Sequence, residues 1–311
     1  SSSADPSTRS SLVPSKANGV FHVDIEMMRT NQQLERLFNA GVEQGSGAQS
    51  FDEALEQEGI EGIDPTKIYD MIGFGEVPQD MSMMGASSGS GTSYGGVVVF
   101  TGIASSTAIQ AMKDQPDVSF TEETYEGKTV LKSSNQENSY LGVVSEGVYV
   151  GGTEQAVKDT IDVATGSGSA ISGTVETALT NARQGAVRFA FELPESDSSG
   201  STGGSMGGQM TQKIEVVSGT MLYQTGSNVG LEVTLTMQDG EAASQFSQQM
   251  NFFLQSYKQR AKEQPQGQQL VRVLENVSIS NSGETVTINY EDSVDNLVAM
   301  AEGEGLPGGS F

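Results

Sequence analysis

Cysteine and tryptophan are absent, histidine occurs once, and only 16 of 311 residues are basic. Each gap removes a class of function. Without cysteine there are no disulfides, thiolate metal sites or cysteine nucleophiles. With one histidine in the chain, a Ser-His-Asp triad would have to recruit His22. Neither G-x-x-x-x-G-K-[ST] nor G-x-G-x-x-G separates a strand from a helix, so phosphate cradling is unsupported. Glycoside hydrolases tend to line their clefts with aromatics, which make up 6% of this chain. An enzyme is not expected, and no cofactor. No window of about 18 apolar residues is present, which excludes a transmembrane helix.

What is abundant is acid: 40 Asp and Glu give a net charge of −24. Nucleic acids and anionic membranes are poor partners for such a chain, because binding them needs Lys and Arg to displace counterions. The acids are scattered along the folded segments rather than gathered in a tail. That pattern suits molar salt, where the Debye length falls to roughly 3 Å and self-repulsion is screened. A halophilic source is expected. The opening "SSSADPSTRSSLVPS" reads as a flexible leader over residues 1–17, left by signal cleavage, with a lipid anchor possible before Ser1. One glycosylation sequon, Asn276-Val277-Ser278, fits secretion.

Two Gly/Ser-rich loops, at 76–95 and 194–211, punctuate the chain. They fall within two units, 18–170 and 171–303, followed by a tail over 304–311. In the first unit the strand "GVFHVDIEMM" is followed by a helix from Thr30 with Leu34, Leu37 and Phe38 on its apolar face. The strand "GGVVVFTGI", a helix over 105–113, hairpins turning at Glu126-Gly127 and Glu146-Gly147, and a helix carrying Val157, Ile161 and Ala164 complete it. In the second unit "GAVRFAFELPE" is a strand with Val187, Phe189 and Phe191 inward. A long hairpin turning near Ser227-Asn228 and a helix of about twenty residues from Glu241 follow, the helix with Phe246, Met250, Phe253, Leu254 and Tyr257 at helical spacing. The hairpin "VRVLENVSISNSGETVTINY" and the helix "SVDNLVAMA" end the unit. Strand, helix, hairpin and helix recur, with "TYEGKTVLKSS" and "SNSGETVTINY" in equivalent places. The expected fold is α+β: two related units of antiparallel sheet with helices on one face, the sheets either packed together or continuous.

The segments "VPSKANGVFHVDIEMM", "YLGVVSEGVYVGGTEQAVKDTID" and "VSGTMLYQTGSNVGLEVTLTMQDGEAASQF" make the chain resemble a group of haloarchaeal secreted or lipid-anchored surface proteins. The resemblance implies a cell-surface location and carries over no catalytic residue.

One stretch raises the question of a metal. In "VFHVDIE", His22, Asp24 and Glu26 alternate and share one face of an extended strand. Same-face neighbours lie about 6–7 Å apart, too far to converge on ligand bonds of ~2.0–2.2 Å without a bend. Strand alternation explains the same string, so these three are weak metal candidates beside a half-exposed strand face. The acid-rich "FDEALEQEGIEGID" and "NYEDSVDN" do not match a calcium loop. Met81, Met83 and Met84 are candidate apolar anchors for a neighbouring copy. The expected function is that of an extracellular structural or interaction protein, a self-assembling subunit of a filament, tube or layer. The alternative is a secreted or lipid-anchored receptor for a small ligand or cation.

Overall fold

Apolar runs bounded by Gly and turn residues assemble into one sheet of twelve strands, every neighbouring pair antiparallel. The structure is a computed structural model that describes residues 9–46, 63–77, 94–115, 118–135, 139–193, 213–263 and 268–301, with positions 48, 50, 52, 53 and 57. In chain order the strands are β1 (Gly19–Asp24), β2 (Ile68–Gly75), β3 (Gly95–Thr101), β4 (Phe120–Tyr125), β5 (Lys128–Ser133) and β6 (Tyr140–Ser145). They continue as β7 (Val148–Gly152), β8 (Val187–Glu192), β9 (Ile214–Thr225), β10 (Asn228–Met237), β11 (Val277–Ser282) and β12 (Thr285–Ser293). Across the sheet the order is β11-β12-β10-β9-β8-β1-β2-β3-β7-β6-β5-β4. The β1–β8 pairing joins the two halves of the chain, so the sheet is continuous.

Turn chemistry sets the hairpins. Between β4 and β5, Glu126 and Gly127 both have positive φ, +48° and +73°, the pair of left-handed residues that matches strand twist in a two-residue turn. The β6–β7 hairpin turns at Glu146-Gly147 as expected. The long hairpin turns at Gly226-Ser227, one residue before the expected place.

The helices are α1 (Ile25–Thr30), α2 (Gln32–Ser46), α3 (Ser105–Lys113), α4 (Glu154–Thr165), α5 (Thr174–Asn181), α6 (Gly240–Glu263), α7 (Gln268–Glu275) and α8 (Val294–Ala301). They cover both faces of the sheet, not one. On the face that bears His22, the core joins Val20, Ile72, Val98 and Val150 to Val13, to Val157 and Ile161 of α4, and to Val175 and Leu179 of α5. On the face that bears Phe21, Val23 and Val187 pack with Leu34 of α2 and Val298 of α8. On that same face Val217, Val233 and Leu235 meet Ala243 and Phe246 of α6, and Val143 and Tyr149 meet Ala108 of α3. Burying each such Val, Leu or Ile stabilises the fold by about 1.5–3 kcal/mol before entropy is counted.

Three further expectations change. Residues 9–17 are part of the core rather than a flexible leader: Ser10–Leu12 form a 3₁₀ turn, Val13 is fully buried, and Pro14 bridges to Ala170. The helix expected from Thr30 is two helices, because Asn31 breaks the run and its Oδ1 accepts from the N–H of Gln33 and Leu34. "VRVLE" is the end of α7, not a strand. The hairpins "TYEGKTVLKSS" and "SNSGETVTINY" lie at the two opposite edges of the sheet, β4 and β11 outermost, with β5 on β6 and β12 on β10.

Helix α4 illustrates how a local signal fixes an element. Thr153 Oγ1 accepts from the Ala156 N–H at 3.3 Å, and Gly166 closes the other end with φ +83°. Thr153→Ala is expected to lower stability by about 1 kcal/mol, the usual worth of such a cap, read by urea unfolding.

Candidate functional site

β1 carries the polar residue that the sequence singles out, and the sheet buries it. His22 is 2% exposed. It lies opposite Arg188 of β8 and Ile72 of β2, and Asp70 of β2 sits one step along the same face. Nε2 of His22 contacts Asp70 Oδ1, and Nδ1 accepts from Arg188 Nη2 at 3.0 Å. The other oxygen of Asp70 pairs with Arg9. The Arg9 guanidinium lies 5.5 Å from the centre of the Phe100 ring, a favourable cation–π placement. Burial first, then the positive charges of Arg188 and Arg9, lower the imidazole pKa from 6.5 to about 3. The imidazole is thus neutral at ordinary pH, donating from Nε2 to the carboxylate and accepting at Nδ1, as its two partners require.

This geometry answers the metal question. His22 faces an inward network. Asp24 caps α1 by accepting from the Met27 N–H at 2.7 Å, and Glu26 lies in the first turn of that helix. The strand ends at Asp24, so the three side chains do not share a face. Among the described residues no group of three or more His, Asp or Glu side chains could hold a metal. The half-exposed polar face is also corrected. Both faces of the sheet are covered here, so alternation does not tell which one is dry. For the same reason Arg188 and Ala190 of β8 are the buried side chains on the His22 face, while Phe189 and Phe191 are half-buried on the other.

Structural bonds account for the acid-rich segments within the described residues. Asp292 accepts from the Ser293 N–H and from Asn296 Nδ2, and Glu291 accepts from the hydroxyls of Tyr223 and Thr225. Asp52 pairs with Arg29, and Asp64 caps a 3₁₀ turn.

Beside α5, on the His22 face of β9 and β10, a groove of about 430 Å³ lies between Thr177 and Asn181 of the helix and a floor of Ser218, Thr234 and Thr236, with Glu232 also lining it.

The second unusual surface is at the β11 end of the sheet. Helix α6 begins over β10 and reaches the edge strand at Asn251, whose Nδ2 donates to the Ile279 carbonyl at 3.4 Å. Its remaining twelve residues run on for about 18 Å at the helical rise of 1.5 Å per residue. There Phe252 is 69% exposed, Tyr257 56% and Phe253 45%. Phe253 and Tyr257 were expected on the packed face with Phe246. The second half of α6 packs on α7 rather than on the sheet, with Ala261 buried, and these rings stay at the surface. Lys258, Arg260 and Lys262 follow within five residues, the densest run of positive charge in this acidic chain. β11 itself carries no charged side chain. Asn276, the sequon residue, is half-buried just before β11. Met81, Met83 and Met84 lie outside the described residues.

Sequence reasoning missed Asp70, Arg188 and Arg9 as partners of His22. No local pattern links residues 48 and 166 positions apart. No helix among the described residues is long and apolar enough to cross a membrane.

No family model and no curated protein matches this chain. Among solved structures it is similar to one described as "Structure of crystal form I of TP0453", at 10% identity over 97% of this chain and 98% of that chain, with a TM-score of 0.45. That likeness contributes nothing to the functional reading.

Proposed function

We propose that this chain is an extracellular structural or interaction protein of a halophilic archaeon, a surface subunit that associates through its sheet. The observation that carries the reading is the β11 end: an uncharged edge strand, and exposed Phe252, Phe253 and Tyr257 on the helix that packs against it. Edge strands with unpaired N–H and C=O groups template further pairing unless charge, proline or a cover blocks them. Exposed apolar clusters rimmed by charge mark contact sites. The acidic composition fits the same setting, because molar salt removes the long-range repulsion between copies carrying −24 each. Non-enzymatic action belongs to this reading. So does the view of the sheet as two related halves, β1-β2-β3 with β7 and β8-β9-β10 with β12.

Light scattering across concentration in dilute and molar salt tests it. The weight-average mass is expected to rise with concentration in molar salt and to stay near the 32.7 kDa of the chain in dilute salt. The double variant Phe252→Ser, Phe253→Ser is expected to keep its melting temperature and lose most of that association. A wild-type chain that stays monomeric throughout molar salt would remove the reading.

The groove beside α5 favours a second reading, a binding protein for a small neutral polar ligand. Its walls offer hydroxyls, one amide and one carboxylate, and no basic side chain among the described residues lines it. A ligand that prefers the folded chain must raise the melting temperature. A thermal-shift series with maltose and trehalose in molar salt that leaves it unmoved would count against this reading.

A further inference from the structure

Hydroxyls on the His22 face of β9 differ in what they meet. Thr220 donates to the Arg183 carbonyl at 2.6 Å, and Thr225 donates to Glu291. Two residues before Thr220, Ser218 is 6% exposed and lines the floor of the groove beside α5. Its hydroxyl has no hydrogen-bond partner among the described residues. Buried polar groups are paired as a rule, so this hydroxyl is left for what enters the groove.

The strand register sets the other groups in rows. Ser218 stands opposite Thr234 of β10, Val216 opposite Thr236, and Thr220 opposite Glu232. Members of a row lie about 4.5–5.5 Å apart and successive rows about 6–7 Å. Glu232 has neither an ion-pair nor a hydrogen-bond partner among the described residues. Across the groove α5 adds the Asn181 amide, and Ala178 and Val216 give the walls an apolar part.

Resting on the reading of this groove as a binding site, we propose that its ligand is a sugar, held through two neighbouring ring hydroxyls that both donate to Glu232. A carboxylate has two acceptor oxygens side by side, and adjacent hydroxyls of a pyranose present two donors to match. Ser218, Thr234 and Thr236 can each donate or accept, so they meet the remaining hydroxyls in either sense, as the Asn181 amide does. Ala178 and Val216 offer apolar contact to the C–H face of the ring. The volume of about 430 Å³ falls within the range of small-molecule sites, roughly 300–1,000 Å³. An organic cation would use Glu232 and leave the hydroxyl rows without a role.

The test titrates the native chain in molar salt with maltose, trehalose, cyclic diglycine and putrescine, reading backbone amide shifts by NMR and affinity by calorimetry. Millimolar ligand keeps the sugars below the range in which they stabilise proteins by exclusion. One of the two sugars is expected to bind saturably and to shift the amides of Thr177, Ser218 and Thr234. Glu232→Gln is expected to weaken that binding roughly tenfold or more, and Ser218→Ala about fivefold, the worth of hydrogen bonds to a charged and to a neutral partner. Both variants are first checked for the native melting temperature. Sugar binding that Glu232→Gln leaves unchanged would overturn the diol contact. Cyclic diglycine moving those amides while neither sugar does would overturn the sugar and leave the groove as a site for a neutral polar ligand. Putrescine binding that Glu232→Gln abolishes, without sugar binding, would assign the carboxylate to a cation and overturn both. Amides that none of the four probes moves would overturn both as well.

Discussion

Replacing Asp70 with Asn lowers the free energy of unfolding by about 3–5 kcal/mol, the usual cost of breaking a buried ion pair by removing one partner. Asp70 is fully buried and stands between Arg9 on one oxygen and His22 on the other, with Arg188 beyond the imidazole. Without its charge, the Arg9 guanidinium faces a neutral side chain on the sheet's interior. Guanidinium keeps its charge in any protein setting, so it cannot relieve the strain by losing a proton. The loss has a second signature. Arg9 holds the 3₁₀ turn and Val13 against the face, so Asp70→Asn should also release the first described residues and speed amide exchange at Val13 and Ile171, whose N–H donates to the Val13 carbonyl. Guanidinium unfolding at fixed ionic strength reads the first effect and hydrogen exchange the second. Arg9→Met is expected to remove less, because it leaves the pairing of Asp70 with His22 in place.

Acidification carries the other large effect. The folded imidazole has a pKa of about 3 against 6.5 in the unfolded chain. Between those values the unfolded state binds the proton and the folded state does not, so stability rises with pH through this window and is lost on going down. Above pH 6.5 the contribution is fully present. At 1.36 kcal/mol per unit, moving from pH 6.5 to 4.5 costs about 2–3 kcal/mol. Titration of surface carboxylates overlaps the lower end of this range, so the comparison is between the native chain and His22→Gln. The surface terms are common to both. The difference in unfolding free energy between them, measured in molar salt at pH 7, 5.5 and 4.5, should shrink as pH falls. A difference that stays constant would mean that the imidazole is not held neutral. With one histidine in the chain, no other imidazole contributes.

Elements governed by neighbours in sequence were legible before the structure. The hairpins at Glu126-Gly127 and Glu146-Gly147 and helix α3 at Ser105–Lys113 fall where turn residues and apolar spacing place them. What depends on the other end of the chain was not. The alternation in β1 separates two faces but does not say that Arg9, Asp70 and Arg188 would meet on one of them. The Ser-rich start hid a buried segment whose only signal was Leu12-Val13-Pro14, a short apolar step in a polar stretch. In α6 the helical spacing of Phe246, Met250, Phe253 and Tyr257 predicted one packed face. Its second half packs on α7 instead of the sheet, and which neighbour a helix meets is not written in its periodicity. Helix α5 was missed because eight residues with two buried side chains, Val175 and Leu179, leave little periodic pattern.

The most direct test of the central claim is electron microscopy of the native chain in molar salt. Association through the sheet predicts ordered filaments, tubes or layers built from many copies of the chain. A field of dispersed single particles at every concentration would contradict it.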